Sequence, residues 1–331
     1  MSKRFLALLI GAALLIGVAP LPTTKLVSPA AQGISSLARG TIAKRPYAVM
    51  IDNHPNAYPQ TGLGSATVVF EALAEYGITR YMAIYVTGVT DELPSLGPVR
   101  SARLYFVQWA MGFKALYAHA GGSPQALQLL ETTNAVVNLD ALKRSGGAYF
   151  ARNSKRSAPH NLFTSTDALT RAASKLNASD LSDSEEIGYL FKADAPGSAG
   201  NPATQLGYFF IYKEEAVGWS YDAASNSYLR LRRGKPGLDS GGQQLRTRNV
   251  VVMEVKERKV QNDPKGRIEQ DVIGSGPARI FLDGIQVEAT WKKDIATAPL
   301  RFFLADGSEA QFNNGQIWIS AVPNLANLTV K

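Results

Sequence analysis

The chain has 331 residues, 45% hydrophobic and 19% charged, with a formal net charge of +8; this is a globular composition, long enough for two domains with cores of their own. It contains no cysteine, which excludes disulfides, thiolate catalysis, thiolate metal sites and a cysteine-borne lipid anchor. The basic excess is spread over both halves without a dense Lys/Arg block, which argues against a nucleic-acid groove and suits work near anionic lipid or wall polymer.

Lys3 and Arg4 precede an unbroken apolar run at residues 5–18. A basic start before an apolar run of this length reads as a secretory signal, and the run is short of the roughly 20 residues that a membrane span needs. Residues 1–31 are therefore expected to be a signal peptide or an uncleaved N-terminal anchor, and residues 32–43 a tether. The folded part is expected outside the cytoplasmic membrane, secreted or tethered to it. An α/β domain, a mixed sheet with helices, is expected over 44–176. A linker at 177–204 and a smaller mostly-β domain at 205–331 complete the plan.

Residues 47–51 form an apolar run after Pro46 and predict a buried strand. It ends in Asp52, Asn53, His54 and Pro55, polar groups past a strand end, where α/β folds place sites; an Asx-type turn before proline is the alternative. Residues 67–75 and 78–86, rich in Val, Ile, Phe and Tyr, predict two strands joined at Tyr76-Gly77; a helix remains open for the first, since Glu71 and Glu75 lie four apart. As a strand residue, Glu71 is a half-buried carboxylate with Arg80 as its expected mate.

Residues 97–103 follow, with Ser101 as the expected N-cap of a helix over 104–111. Arg100 and Arg103 flank that helix start, an arrangement that fits a phosphate, sulfate or carboxylate. A short strand at 115–118 then runs into His119, Gly121, Gly122 and Ser123. Ser123 before Pro124 predicts a second helix start, again with backbone donors for an anion. The loop at 148–163 carries Arg152, Lys155, Arg156, His160 and Asn161 and is suited to close over an anionic ligand. Residues 164–166 cap a last helix through Leu176. His54, His119 and His160 with Asp52 make a conceivable metal set, but no His/Glu spacing supports one, and no cofactor motif is present.

Beyond the linker the pattern turns all-β. Strands are expected near 206–212, 216–221, 228–232 and 249–255, with hairpin turns at Asp283-Gly284, Asp306-Gly307 and Asn314-Gly315. Trp219, Trp291 and Trp318 are expected in the core rather than on a binding face.

These segments together resemble the YerB-like family of bacterial lipoproteins, a family without an established reaction. The resemblance is carried by residues 47–54, 70–73 with 77–80, 97–103, 119–124 and 156–161, and in the second half by 250–253, 274–276, 283–284 and 290–293. It implies an envelope location and a two-part architecture; the absence of the lipidated cysteine is a departure from it. A fainter similarity joins the order of hairpin, arginine turn, helix and glycine turn to the LytR-CpsA-Psr phosphotransferases. That likeness implies that Arg100 or Arg103 holds a pyrophosphate, yet Thr67 stands where the strand aspartate of that family falls.

The expectation is an exported envelope protein whose first domain binds an anionic ligand, a phosphorylated wall polymer or a lipid-linked one. Arg100 and Arg103 hold its charge, while Ser101, Gly121, Gly122 and Ser123 supply donors. Arg80, Asn53, Arg152, Arg156, Asn161, His119 and His160 complete the site, with Asp52 and Glu71 orienting groups or acting as base. The rivals are a transferase or hydrolase using His119 or His160 as base, and a non-catalytic assembly module.

Overall fold

A computed structural model of the protein describes residues 37–87, 90, 92–181, 184–197 and 200–331. The expected signal segment and the start of the tether lie outside the described residues. The rest of the tether stretch packs against the fold, because it carries apolar side chains: Leu37 and Ile42 are buried in a core, and Arg39 N–H donates to Tyr189 O at 3.0 Å.

The first half contains strands β1 (Tyr47–Asp52), β2 (Val68–Glu75) and β3 (Ile78–Tyr85), helix α1 (Leu104–Met111), strand β4 (Leu116–His119), helix α2 (Pro124–Thr132), strand β5 (Val137–Asp140) and helix α3 (Thr166–Lys175). The second half is strands: β6 (Gln205–Tyr208), β7 (Val217–Asp222), β8 (Ser227–Arg232), β9 (Asn249–Glu254), β10 (Glu257–Lys259), β11 (Ile268–Gln270), β12 (Gly274–Leu282), β13 (Ile285–Lys293), β14 (Arg301–Phe303) and β15 (Ile317–Val322).

One eleven-stranded mixed sheet runs through both halves, in the order β14-β13-β12-β9-β15-β2-β3-β1-β4-β5, with a short strand at 201–202 on β13. β15 is the seam: it lies parallel to β9 on one side and to β2 on the other. Its side chains are buried on both faces, as befits a central strand between parallel neighbours. The turn at Asn314-Gly315 is accordingly no hairpin; it passes the chain from a two-stranded pairing at 311–313 into this sheet.

The strand period sends alternate residues of β2 and β3 to opposite faces. Val68, Phe70, Met82 and Ile84 join the core under α1 and α2. Val69, Leu73, Tyr81 and Tyr85 join the core on the other face, with α3 and a six-stranded sheet built on β6, β7 and β8. Trp219, Trp291 and Trp318 are buried.

Helix starts follow local chemistry. Ser123 caps α2 by accepting from Ala126 N–H, with Pro124 in the first turn, and Ser165 caps α3 by accepting from Ala168 N–H at 3.1 Å. Ser101 does not cap α1. The cap position is Arg103, without a side-chain bond, because the Ala102–Gly122 bridge keeps the chain extended one step further.

Candidate functional site

The site is assembled where β1 ends, where the β2–β3 hairpin turns, and where three loops converge. Residues 98–100 run along the end of β1: Asp52 N–H donates to Pro98 O and Arg100 N–H to Met50 O, both at 2.9 Å. This seats the Arg100 side chain against Asp52, with Nε 3.1 Å from Oδ2. The other Asp52 oxygen accepts from His54 N–H at 3.0 Å. His160, arriving from the loop after β5, sits with Nδ1 2.7 Å from Oδ2, and its ring stacks on His54 with centroids 4.5 Å apart.

Asp52 is 1% exposed. Burial works against its charge, but Arg80 and Arg100, with bonds from His54 and His160, outweigh it and hold the carboxyl below its ordinary pKa. An ionised carboxylate only accepts, so His160 Nδ1 carries the proton of that hydrogen bond. His54 is disfavoured as a cation by burial and by the neighbouring His160. Its Nδ1 accepts from Asn56 N–H at 3.1 Å, so the neutral ring carries its proton on Nε2 and offers a donor.

A β-bulge between Leu73 and Glu75 turns Glu75 toward the Arg80 side of the sheet. Glu75 there bridges Arg80 and Arg103, and both lower its pKa against the effect of burial. The expected Glu71–Arg80 pair is not made. Arg80 stands opposite Ala72 in register, while Glu71 stands opposite Tyr81 and points to the other face. Its mate is Arg230, at 2.9 Å.

The turn after β4 closes the opposite wall. Ala102 N–H donates to Gly121 O at 2.9 Å and Ser123 N–H to Ala102 O at 3.1 Å. A Cβ on Gly122 would stand 3.2 Å from the Ala102 Cβ, so glycine permits this approach. The last wall comes from the second half, to which sequence reasoning assigned no site. The loop between β10 and β11 docks on the hairpin tip: Tyr76 O–H donates to Pro264 O, and Tyr76 N–H to Gly266 O. It brings Lys265 and Arg267 to the cleft, with Arg267 held by Asp263 at 3.0 Å. The signal was present in the row from Asn262 to Arg267, turn formers flanked by cations, but nothing local says where such a loop docks.

The resulting cleft encloses about 450 Å³. Arg100, Arg103, Lys265 and Arg267 line it, with Ser101 and His54. Asp52, Glu75 and Asp263 answer these cations and Arg80 only in part, so positive charge is left over.

Several expected members are elsewhere. His119 is buried, with Nδ1 2.8 Å from Gly121 O and Nε2 2.8 Å from Asn138 Oδ1; both nitrogens are engaged inside the fold, so neither is open to a substrate. Ser123 is spent on its helix cap. Arg156 donates to Ala57 O and Pro59 O, and Arg152 to Asn161 Oδ1; these bonds hold the 148–163 loop in shape. Asn53 lies on the far side of the hairpin, bonded to Thr79, Gln60 and Arg232. Thr67 is buried, and among the described residues no group of three His, Asp or Glu side chains is placed to hold a metal ion.

Residues 33–179 match the family model described as "Protein of unknown function (DUF3048) N-terminal domain", and residues 208–319 match that of its C-terminal domain. The protein described as "Putative lipoprotein YerB" from Bacillus subtilis (strain 168) is 31% identical over 285 residues, spanning 85% of this chain and 82% of that protein. The crystal structure of YerB from Bacillus subtilis matches with a TM-score of 0.74 at 30% identity, over 87% of this chain and 94% of the YerB chain. With agreement in both sequence and fold along most of its length, the chain belongs to the YerB family, made of the N- and C-terminal DUF3048 domains.

Proposed function

We propose that this protein works in the cell envelope, outside the cytoplasmic membrane, and binds a phosphorylated wall-polymer or lipid-linked ligand in the cleft around Arg100. The location rests on the apolar N-terminal run and on the lipoprotein description of its relative. The binding reading rests on one observation: cations from both halves, Arg100, Arg103, Lys265 and Arg267, converge on one cleft where Asp52, Glu75 and Asp263 answer only part of their charge. Guanidinium pairs and an adjacent N–H donor are the groups that hold phosphate oxygens.

The test is equilibrium binding of undecaprenyl phosphate in micelles to the wild type, to Arg100→Ala and to Lys265→Ala/Arg267→Ala. Loss of one charge-assisted contact is worth about tenfold or more in affinity. Each variant is expected to bind at least that much more weakly, with affinity falling as salt rises. Equal binding by all three, with folding intact, rejects the site.

A catalytic reading is favoured by the Asp52–His160 hydrogen bond, the arrangement that orients a general base. His160 itself does not line the cleft; His54 lies in front of it. Turnover of a phosphorylated polymer that disappears in His160→Ala but survives in His119→Ala would establish it.

A further inference from the structure

On the other side of the Tyr76-Gly77 tip, between the two sheets, lies a second cavity of about 200 Å³. Two tyrosines of its lining, Tyr76 and Tyr212, are 62% and 52% exposed. Both rings are nonetheless held in place. The Tyr212 ring rests on Gly77, where a Cβ would stand 2.2 Å from Cε2, and the Tyr76 ring rests on Gly266, where a Cβ would stand 2.5 Å from Cε1. The Tyr76 hydroxyl is also tied to Pro264 O. An exposed aromatic ring already fixed on one side offers apolar contact to a ligand at little entropic cost. Ile78 and Ile211, neither of them buried, extend this apolar surface within the lining.

The charged groups of the lining balance: Glu71 and Glu215 stand against Arg230 and Arg232. Such a lining favours neither an anion nor a cation. Glu71 and Arg230 are buried and paired with each other at 2.9 Å, so they are closed to a ligand. Glu215 and Arg232 are only half-buried. Arg232 gives Nη1 to Asn53 Oδ1 at 3.3 Å and has no other hydrogen bond among the described residues, which leaves it N–H groups to donate. Glu215 accepts from Arg233 Nε on one oxygen and Nη2 on the other, and each carboxylate oxygen can accept once more. The open polar groups of the cavity are thus one donor and one acceptor beside an aromatic platform. That combination fits a molecule with apolar C–H faces and a rim of hydroxyls, which donate and accept alike.

We propose that this cavity binds one uncharged sugar ring bearing a small apolar substituent, the chemistry of an N-acetylated amino sugar. A C–H face of the ring lies on Tyr212, its hydroxyls donate to Glu215 and accept from Arg232, and the acetyl methyl lies against Ile78 and Ile211. The volume is below the ~300–1,000 Å³ of sites for drug-sized ligands, so a single ring enters. A proline-rich segment would also find the tyrosines, but its rings carry no hydroxyl and would cover Glu215 without giving it a donor. Tyr76 and Ile78 line the Arg100 cleft as well, so a sugar bound here lies beside a phosphate bound there. That link alone rests on the function proposed above; the sugar site does not.

The experiment is a saturation-transfer NMR titration of the full chain with three probes: the methyl glycoside of N-acetylglucosamine, the same glycoside without its acetyl group, and a hexaproline peptide. The variants are Tyr212→Ala, which removes the platform, and Arg232→Met, which removes the donor and keeps the length of the side chain; thermal melting checks that both fold. The acetylated glycoside is expected to bind, with saturation strongest at its acetyl methyl and ring protons, and the other two probes are not. Affinity is expected to drop about tenfold in Tyr212→Ala and by a similar factor in Arg232→Met. These probes carry no phosphate and undecaprenyl phosphate carries no sugar, so this site and the Arg100 cleft fail separately. Failure of the wild type to bind the acetylated glycoside, equal binding of the glycoside without acetyl, binding of hexaproline in its place, or unchanged affinity in folded Tyr212→Ala and Arg232→Met overturns the proposal.

Discussion

The buried pair between Glu71 and Arg230 yields the sharpest stability prediction. Glu71 accepts from Arg230 at 2.9 Å, from Trp318 Nε1 at 3.2 Å and from Thr79 Oγ1 at 3.1 Å. Both partners are nearly inaccessible to water, at 1% and 3% side-chain exposure. Glu71→Leu leaves the guanidinium charge buried with only aromatic faces and a hydroxyl beside it. Breaking such a pair costs about 3–5 kcal/mol, against a total stability of about 5–15 kcal/mol for a typical domain. The aromatic faces soften this only partly, at about 2 kcal/mol for a desolvated cation–π contact. Arg230→Met alone costs a comparable amount, since it strands the carboxylate. The double variant Glu71→Leu/Arg230→Met removes both charges together and is expected within about 2 kcal/mol of the wild type, because apolar replacement of a buried pair is often close to neutral. Urea unfolding followed by tryptophan fluorescence suits the test, since Trp219 and Trp318 flank the pair. Additive losses, with the double variant as unstable as the sum of the single ones, would show that the two charges do not act as a pair.

Two further predictions concern pH. Asp52 and Glu75 have folded-state pKa values below their ordinary ones, so the unfolded chain binds more protons near those values and stability rises with pH there. Their contribution is complete above the ordinary carboxylate range and is lost as pH falls through the lower folded values; the stability gap between wild type and Asp52→Asn is expected to shrink below about pH 4, as chemical denaturation at stepped pH will read. Lys293 behaves in the opposite region. Burial pushes it down from 10.5 to about 7, while its ammonium is met by Ala296 O and Ala298 O. Between those values the unfolded chain holds the proton and the folded chain does not, so stability rises with pH by up to about 1.4 kcal/mol per unit; Lys293→Met should remove that slope between pH 7 and 9, and an unchanged slope would count against the assignment.

Local chemistry was the legible part of the sequence. The β1 to β3 strands, the Tyr76-Gly77 turn and the Ser123 and Ser165 caps are set by neighbours within a few residues, and they stand where composition and turn residues put them. The Asp283-Gly284 hairpin is of the same kind. Long-range pairing was not legible. β15 reads locally as one more strand of the second half, and nothing in its residues says that it pairs with β2, some 250 positions earlier. The same separation hid the partner of Glu71 and the docking place of Lys265 and Arg267. His119 misled for a related reason: a histidine past a strand end looks available, and only the fold shows Gly121 O and Asn138 closing on both its nitrogens.

The expectation of one pocket for all the polar motifs met the strand alternation, and the alternation won. Asp52 stands opposite Arg80 in register, so both face the side on which Glu75 and Arg103 gather. Glu71, Thr79 and Tyr81, on the same two hairpin strands, face the other side and meet Arg230 from the six-stranded sheet. A single hairpin thus separates two pockets of different lining. One is a cleft where Arg and Lys side chains outnumber carboxylates, the other a cavity whose Arg230 guanidinium is paired with Glu71 and clasped by indole rings. Only Tyr76 and Ile78, at the hairpin tip, are common to both. Because β15 ties β2 to the second half at the base of the hairpin while Pro264 and Gly266 hold its tip, the two halves of the chain fix this partition jointly. Neither cavity has its full set of side chains without residues from both.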